Sequence, residues 1–281
     1  MTLGTQTINH VNFEDLDLPK IVYKYRECKN LIHKTILTER QVYFAPPSSF
    51  EDPIDCKNPI RYDLLKEKDI YNKYYLNSKQ KNPNGSRLEH RNFAKDWTKK
   101  SPIKNKEMMK KIAKESFEDL DIRLGVLSLT SNPSNLLMWE KYSANHSGFC
   151  VGFDPYVAFR NFGGGKLVEY VDNLPIIMPE PIHSYEYQYV LQIFYKLKKW
   201  ISEGEYRTHK FHINPYELKR IVTLPVDAYT EIIFGAKIDL EDKIELIEIV
   251  KNVMPNINIR QAQLTEENGI IIRDVQRPEI G

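Results

Sequence analysis

The segment Leu124–Thr130 reads Leu-Gly-Val-Leu-Ser-Leu-Thr, an apolar run of the length that is typical of a buried β-strand. Further along the chain, residues 136–144 have the apolar spacing of a short helix. Residues 148–154 read Gly-Phe-Cys-Val-Gly-Phe-Asp and predict another apolar strand. The centre of the chain is therefore predicted to be strand, helix and strand in close succession.

Strands and helices are interspersed on both sides of this centre. Upstream, residues 20–26 are β-branched and aromatic and predict a strand, and residues 30–40 predict a helix with Asn30 as its cap. Residues 41–45 predict a second strand, which two prolines end. Downstream, strands are predicted over residues 166–171, 228–234, 257–263 and 269–273, and helices over residues 187–202 and 240–252. Many strands with a few helices indicate an α+β fold with a mixed, mainly antiparallel sheet.

The composition is that of an ordinary globular chain, with one lysine-rich region. A length of 281 residues fits one large domain or two small ones, and a single domain over residues 1–281 is the simpler expectation. Residues 62–121 are rich in lysine and poor in glycine, which predicts a helical insertion within that domain. Its charges form either a solvated surface or a phosphate-contacting face.

Charge and cysteine content limit the classes of partner and compartment. The formal net charge is +2, so a nucleic-acid partner is neither demanded nor excluded. Three scattered cysteines argue against a disulfide framework and against a thiolate zinc site, and favour a reducing compartment. No apolar run approaches about 18 residues, and the N-terminus has no basic segment followed by an apolar core. A cytoplasmic protein with no membrane contact is expected.

An acid pair follows the predicted helix 187–202. Residues 200–207 read Trp-Ile-Ser-Glu-Gly-Glu-Tyr-Arg, with Glu203 and Glu205 two positions apart. On a β-strand both side chains leave the same face, where two carboxylates repel and their pKa values split. The pair predicts either a chemical site or a solvated strand edge whose charge Arg207 balances.

Two further groups of polar and aromatic residues stand at the ends of predicted elements. Trp139 and Tyr142 share one face of the short helix, where they either pack on the sheet or contact a ligand. His146 follows that helix and either binds an anion or hydroxyl or caps the helix end. Asp52 and Asp55 follow the second strand and either bind a divalent cation, in nuclease fashion, or accept hydrogen bonds from Arg26 or from the backbone of their own turn.

Several motifs in order resemble the bacterial family known as domain of unknown function 2971. The resemblance covers about residues 20–275 and includes one departure, Glu51, where the family is expected to have asparagine. The family label implies kinship but names no reaction. The motifs are Tyr23-Lys24-Tyr25-Arg26, Phe50-Glu51-Asp52-Pro53-Ile54-Asp55, Met138-Trp139-Glu140-Lys141-Tyr142, residues 146–153, Trp200 with Glu203, Glu205, Tyr206 and Arg207, and Ile232-Ile233-Phe234-Gly235.

A more distant similarity suggests chemistry. A strand and a helix, then the strand Val42-Tyr43-Phe44-Ala45 followed by serine, resemble the first half of an ADP-ribosyltransferase domain of the poly-ADP-ribose-polymerase type. The resemblance implies an NAD-consuming transferase with an ADP-ribosyltransferase-like fold, NAD as substrate, no metal, and a protein or nucleic-acid acceptor. It also implies a toxin or an anti-phage defence effector. The usual histidine or arginine of the first strand is replaced by Lys24 here, unless Arg26 serves instead.

The roles that this resemblance implies can be given residue by residue. Glu203 or Glu205 would hold the ribose and stabilise the oxocarbenium-like state, and Arg26 would hold the pyrophosphate. The expected NAD contacts are Lys24, Arg26, Tyr25, Tyr43, Ser48, Trp139, Tyr142, His146 and Arg207. Two alternatives remain open at this stage: a metal-dependent nuclease or phosphoesterase that uses Asp52, Asp55 and Glu203, and a non-catalytic binding module.

Overall fold

Twelve strands and eight helices form the described part of the chain. The computed structural model describes residues 17–267 and 269–275. The elements are, in chain order, β1 (Val22–Arg26), α1 (Leu31–Thr38), β2 (Gln41–Tyr43), α2 (Glu67–Lys81), α3 (Arg87–Lys100), α4 (Lys106–Arg123), β3 (Leu124–Thr130), α5 (Leu136–Tyr142), β4 (Phe149–Phe153), α6 (Pro155–Phe162), β5 (Lys166–Leu167), β6 (Glu169–Val171), α7 (Tyr185–Ile193), β7 (Tyr195–Leu197), β8 (Glu205–Phe211), β9 (Ile221–Thr223), β10 (Tyr229–Phe234), α8 (Leu240–Val253), β11 (Asn258–Leu264) and β12 (Ile270–Asp274).

The chain divides into two compact units. The helical unit contains Phe50–Ile122 and Val171–Lys196. The sheet unit contains the described residues of 17–49, Arg123–Tyr170 and 197–275. The single domain over residues 1–281 and the insertion limits of residues 62–121 stay predictions.

The sheet unit is built on one eight-stranded sheet with the order β12-β11-β10-β4-β1-β3-β8-β5. Its pairs are antiparallel except for β10 with β11. A separate antiparallel pair joins β2 to β9. The predicted mixed, mainly antiparallel sheet of an α+β fold is therefore confirmed.

Both faces of the large sheet are covered by apolar side chains. Successive residues of a strand point to opposite faces, and Val22 and Tyr23 of β1 accordingly belong to two different core clusters. The larger cluster includes residues of α1, α6 and α8, and the smaller one includes Trp139 of α5. Each large apolar side chain buried in this way contributes about 1.5–3 kcal/mol.

Helix ends in the sheet unit follow local chemistry. The Asn30 side chain accepts hydrogen bonds from the Ile32 and His33 backbone amides, at 3.0 and 3.3 Å, which confirms it as the cap of α1. Asp154 caps α6 in the same way, and Gly163 ends α6 with φ +90. Because both ends are satisfied within a few residues, α6 returns the chain promptly to the sheet at β5.

The helical unit contains α2, α3, most of α4, and α7. Two hydrogen bonds join the loop before α2 to the loop before α7. The Arg61 backbone amide donates to the Ile177 carbonyl at 2.7 Å, and the Asn58 side-chain amide donates to the Pro175 carbonyl at 2.6 Å. A buried ion pair between Lys196 and Asp55, 3.4 Å apart, lies in the same unit. These contacts join residues 171–196 to the segment that precedes α2.

Candidate functional site

The seam between β1 and β3 contains a lysine side chain. The paired positions of these strands are Tyr23 and Thr130, and Lys24 donates from its Nζ to the Ser128 carbonyl at 2.7 Å. Burial lowers the pKa of Lys24 to about 7, and nearby Arg26 lowers it too, whereas Glu205 and Glu203 raise it. One lysine on the first strand therefore lies within electrostatic reach of one cation and of two carboxylates from the far end of the chain.

Arg26 ends β1 beside this lysine. Its Nη1 donates to the Tyr25 carbonyl at 3.4 Å, and burial lowers its pKa to about 10. Within residues 17–267 and 269–275, no carboxylate lies within ion-pair distance of its guanidinium. A desolvated guanidinium that lacks a carboxylate partner is costly for the fold and is suited to an anionic ligand.

Glu205 is the first residue of β8 and is buried together with Arg207. Arg207 donates from Nε to Oε1 at 2.6 Å and from Nη2 to Oε2 at 3.0 Å, so that one guanidinium holds both carboxylate oxygens. The Glu205 backbone amide donates to the Tyr170 hydroxyl at 2.9 Å. Glu205 and Arg207 thus form a buried structural ion pair that is shielded from solvent.

Glu203 occupies a different environment. It ends a 3-10 helical segment, Lys198–Glu203, and Gly204 follows it in the left-handed conformation with φ +49. The expectation that both acids leave one face of a strand is therefore wrong, since the left-handed glycine breaks the chain direction between them. Glu203 is partly exposed, and the Tyr142 hydroxyl donates to its Oε1 at 3.4 Å.

The Tyr142 ring, whose hydroxyl bonds to Glu203, shares a lysine with a second aromatic ring. Lys141 Nζ lies 4.6 Å from the ring centre of Trp200 and 5.0 Å from that of Tyr142. Both rings are partly exposed. The attraction between a cation and an aromatic face contributes roughly 0.5–1 kcal/mol at an exposed site. The accessible carboxylate is thus bonded to one partly exposed ring, and the lysine over that ring also lies over a second one.

Asn135 positions Glu203 and has no place in the sequence-based prediction. Its Oδ1 accepts from the Met138 amide at 3.3 Å and caps α5, while its Nδ2 donates to the Ser202 carbonyl. The helix that contains Tyr142 and the segment that ends at Glu203 are thereby held together. An asparagine just before an apolar helix is an ordinary capping signal, but its second bond joins positions 67 residues apart.

Two of the predicted ligand contacts are core residues. Trp139 is fully buried, and its indole N–H donates to the Pro133 carbonyl at 2.8 Å. Tyr25 is also buried, donates from its hydroxyl to the Asn132 carbonyl at 2.8 Å, and packs edge-on against Trp139. Both rings therefore pack the sheet, which is the structural alternative that the sequence left open for Trp139.

Three other predicted residues stand outside the contacts around Glu203. Tyr43 is half-exposed on β2, and Ser48 belongs to a 3-10 segment, Pro47–Ser49. His146 is buried in the turn after α5 and has φ +70, and burial and then Lys237 lower its pKa, which Glu140 opposes. Its Nδ1 has no hydrogen-bond partner among the residues that the structure describes. None of the contacts given above involves these three side chains.

The aspartates of the nuclease alternative belong to the helical unit. Asp55 pairs with Lys196, and the Asp52 carboxylate accepts from the Ile54 amide at 3.3 Å, which is the hydrogen bond of a turn. In the part of the chain that the structure describes, no group of three or more His, Cys, Asp or Glu side chains is arranged to hold a metal ion. The observed partners of the two aspartates correspond to the structural role that the sequence left open.

Comparisons with protein-family models, with curated proteins and with solved structures find no match for this chain. No helix in residues 17–267 and 269–275 is both long and apolar enough to span a bilayer. The residues around Lys24, Arg26 and Glu203 are therefore the features of the molecule that bear on its function.

Proposed function

We propose that the chain consumes NAD in the manner of an ADP-ribosyltransferase. The observation that carries the proposal is that Lys24 lies within electrostatic reach of Arg26, Glu205 and Glu203. First-strand cations and a late acid pair are the parts that the resemblance to ADP-ribosyltransferases requires. Their proximity in the sheet unit supports a shared site, which the sequence order alone left open.

Glu203 is assigned the catalytic role and Glu205 a positioning role. The bond between ribose C1′ and the nicotinamide nitrogen breaks with its electron pair going to nicotinamide, which leaves as a neutral molecule. Positive charge then grows on the ribose, and a carboxylate beside it gains stabilising value as the transition state forms. Glu203 is the accessible carboxylate, whereas Arg207 already holds both oxygens of Glu205.

Arg26 and the rings supply binding. The planar guanidinium of Arg26 is suited to bidentate hydrogen bonds with a pyrophosphate oxygen pair. Trp200 and Tyr142 present partly exposed faces on which nicotinamide or adenine can stack. A water or an acceptor hydroxyl would attack C1′ and release its proton to solvent or to a neutral amine such as Lys24, whose pKa of about 7 suits proton exchange near neutrality.

Nicotinamide release by the purified chain tests the proposal. Glu203→Gln keeps the shape of the side chain but removes its charge, so the rate is expected to fall about 10²–10³-fold. Glu248→Gln, an exposed acid on α8, is the matched control and should leave the rate unchanged.

A wild-type preparation that consumes no NAD would overturn the proposal. Cleavage of RNA that requires magnesium and depends on Asp52 and Asp55 would favour the nuclease alternative instead. If NAD is consumed, wild-type expression should also arrest bacterial growth while Glu203→Gln expression should not, as expected of a toxin or a defence effector.

A further inference from the structure

Helices α2 and α3 form an antiparallel pair within the helical unit. On α3 the buried residues are His90, Ala94 and Thr98, which lie four positions apart along one ridge. On α2 the buried Ser78 faces this ridge, with its Oγ 2.9 Å from His90 Nδ1. The contact ridge of each helix is thus fixed, and the outward faces follow from it.

A row of cations stands directly beside the contact ridge of α3. Arg87, Arg91, Lys95 and Lys99 recur every fourth residue, which places them about 6 Å apart along the helix. All four are exposed, and among the described residues none has a carboxylate within ion-pair distance. The nearest acids in sequence point elsewhere: Glu89 closes the capping box with Ser86, and Asp96 pairs with Lys100 at 3.5 Å.

Tyrosines and further lysines stand at the matching positions of α2. Tyr75 follows Tyr74, which stacks on Trp97 of α3, and Lys79 follows Ser78, just as Arg91 and Lys95 each follow a buried residue of α3. In antiparallel helices, equal offsets from the contact ridge fall on the same side of the pair. The Tyr71 and Tyr75 rings stack with centres 6.2 Å apart, and Tyr75 contacts His90 edge-on. We name the resulting surface the cationic face; it consists of Lys68, Tyr71, Tyr75, Lys79, Arg87, Arg91, Lys95 and Lys99.

We propose that the cationic face binds single-stranded nucleic acid. Rows of unpaired cations neutralise a phosphate backbone, and partly exposed aromatic rings between them stack on bases of any sequence. A basic helix that binds a membrane surface carries an apolar stripe beside its cations, whereas the rings here are tyrosines. The proposal does not depend on NAD chemistry in the sheet unit.

Fluorescence anisotropy with a labelled single-stranded RNA of about 20 nucleotides tests the proposal on the full chain. If each of the six cations of the cationic face contacts one phosphate, the slope of log K against log salt is about −4, so affinity should fall about 300-fold between 50 and 200 mM salt. Arg91→Ala with Lys95→Ala should reduce the slope to about −3. The matched control is Lys219→Ala with Lys251→Ala, which removes two exposed cations elsewhere and should leave the slope unchanged.

A second variant separates stacking from charge. Tyr75→Leu keeps an apolar contact to His90 but removes the ring, so RNA affinity should fall about tenfold with no change in the salt slope. Circular dichroism confirms that each variant keeps its helices. The proposal is overturned if folded wild-type protein does not bind RNA at 50 mM salt. It is also overturned if the wild-type protein binds phosphatidylserine vesicles but not RNA, or if the test pair and the control pair of substitutions change the slope equally.

Discussion

Glu203 and Glu205 are separated by one residue and have different surroundings. Glu205 lies in the interior with both carboxylate oxygens on Arg207, and Glu203 lies at a partly exposed position beside Tyr142. A buried ion pair contributes little net stability when intact but leaves an uncompensated charge when one partner is removed. The same substitution should therefore cost much more stability at Glu205 than at Glu203.

Glu205→Gln should destabilise the protein far more than Glu203→Gln does. The first substitution removes the charged partner that accepts two hydrogen bonds from the buried Arg207 guanidinium, at a cost of about 3–5 kcal/mol. The second changes a partly exposed side chain and should alter stability by at most about 0.5 kcal/mol. Urea unfolding of both variants measures the difference, and equal losses of stability would show that the Glu205–Arg207 pair is not the sequestered one.

Much of the residue-level assignment depended on information that a sequence does not contain. The role of Asn30 as a helix cap is a local property and was predicted. The greater exposure of Glu203 than of Glu205 follows from the left-handed conformation of Gly204, which a sequence only suggests. The bond from Asn135 to Ser202 and the pairing of Lys24 with Ser128 join distant positions. No periodicity reports such contacts.

At the level of elements, the seam between β1 and β3 is the unusual part of the sheet. Only Tyr23 opposite Thr130 pairs these strands among the described residues, and the Lys24 amine bonds to the β3 carbonyl of Ser128 beyond that point. A lysine that is partly buried loses protons more easily than the same lysine in an unfolded chain. The stability of the seam should therefore depend on pH.

Lys24→Met should flatten the pH dependence of stability between pH 7 and about 8.5. The folded pKa of Lys24 is about 7, below its unfolded value, so the unfolded chain binds more protons in this window and stability rises with pH. The stability gained by deprotonation of Lys24 is complete above the unfolded pKa and is lost as pH falls through about 7. The slope in wild type should exceed that in the variant by up to about 1 kcal/mol per pH unit.

Urea midpoints at several pH values measure this slope. Above about pH 8.5 the buried thiols oppose the trend, because burial raises the pKa of Cys150 and raises that of Cys28 to about 12. Identical slopes in wild type and Lys24→Met would show that the amine does not titrate in the folded protein as the geometry requires.

The positions of the strands along the chain were largely predictable, whereas the limits of the helices between them were less so. The predicted strands 228–234 and 257–263 correspond to β10 and β11 within one residue at each end. The predicted helix 187–202 ends at Ile193, where the chain changes to β7 and a 3-10 segment. Helix α6 has a clear cap, Asp154, and a terminal glycine, but its eight residues are too few to show a strong period.

Across the whole molecule, the fold class was predictable from the sequence, but the division into two compact units was not. Pairing within a sheet and packing between helices depend on contacts far apart in the chain, and residues 171–196 join the lysine-rich helices for that reason. The proposed site lies in the sheet unit alone, where we propose that the first-strand cations and Glu203 bind an anionic dinucleotide.

Calorimetric titration of NAD tests this claim most directly, in a Glu203→Gln background that prevents turnover. We expect this variant to bind NAD, and adding Arg26→Lys should weaken binding about tenfold, because an ammonium cannot reproduce the planar two-point contact. Adding Arg273→Lys instead, at an exposed arginine of β12, should leave the affinity unchanged. Absence of NAD binding, or equal weakening by both arginine substitutions, would contradict the account.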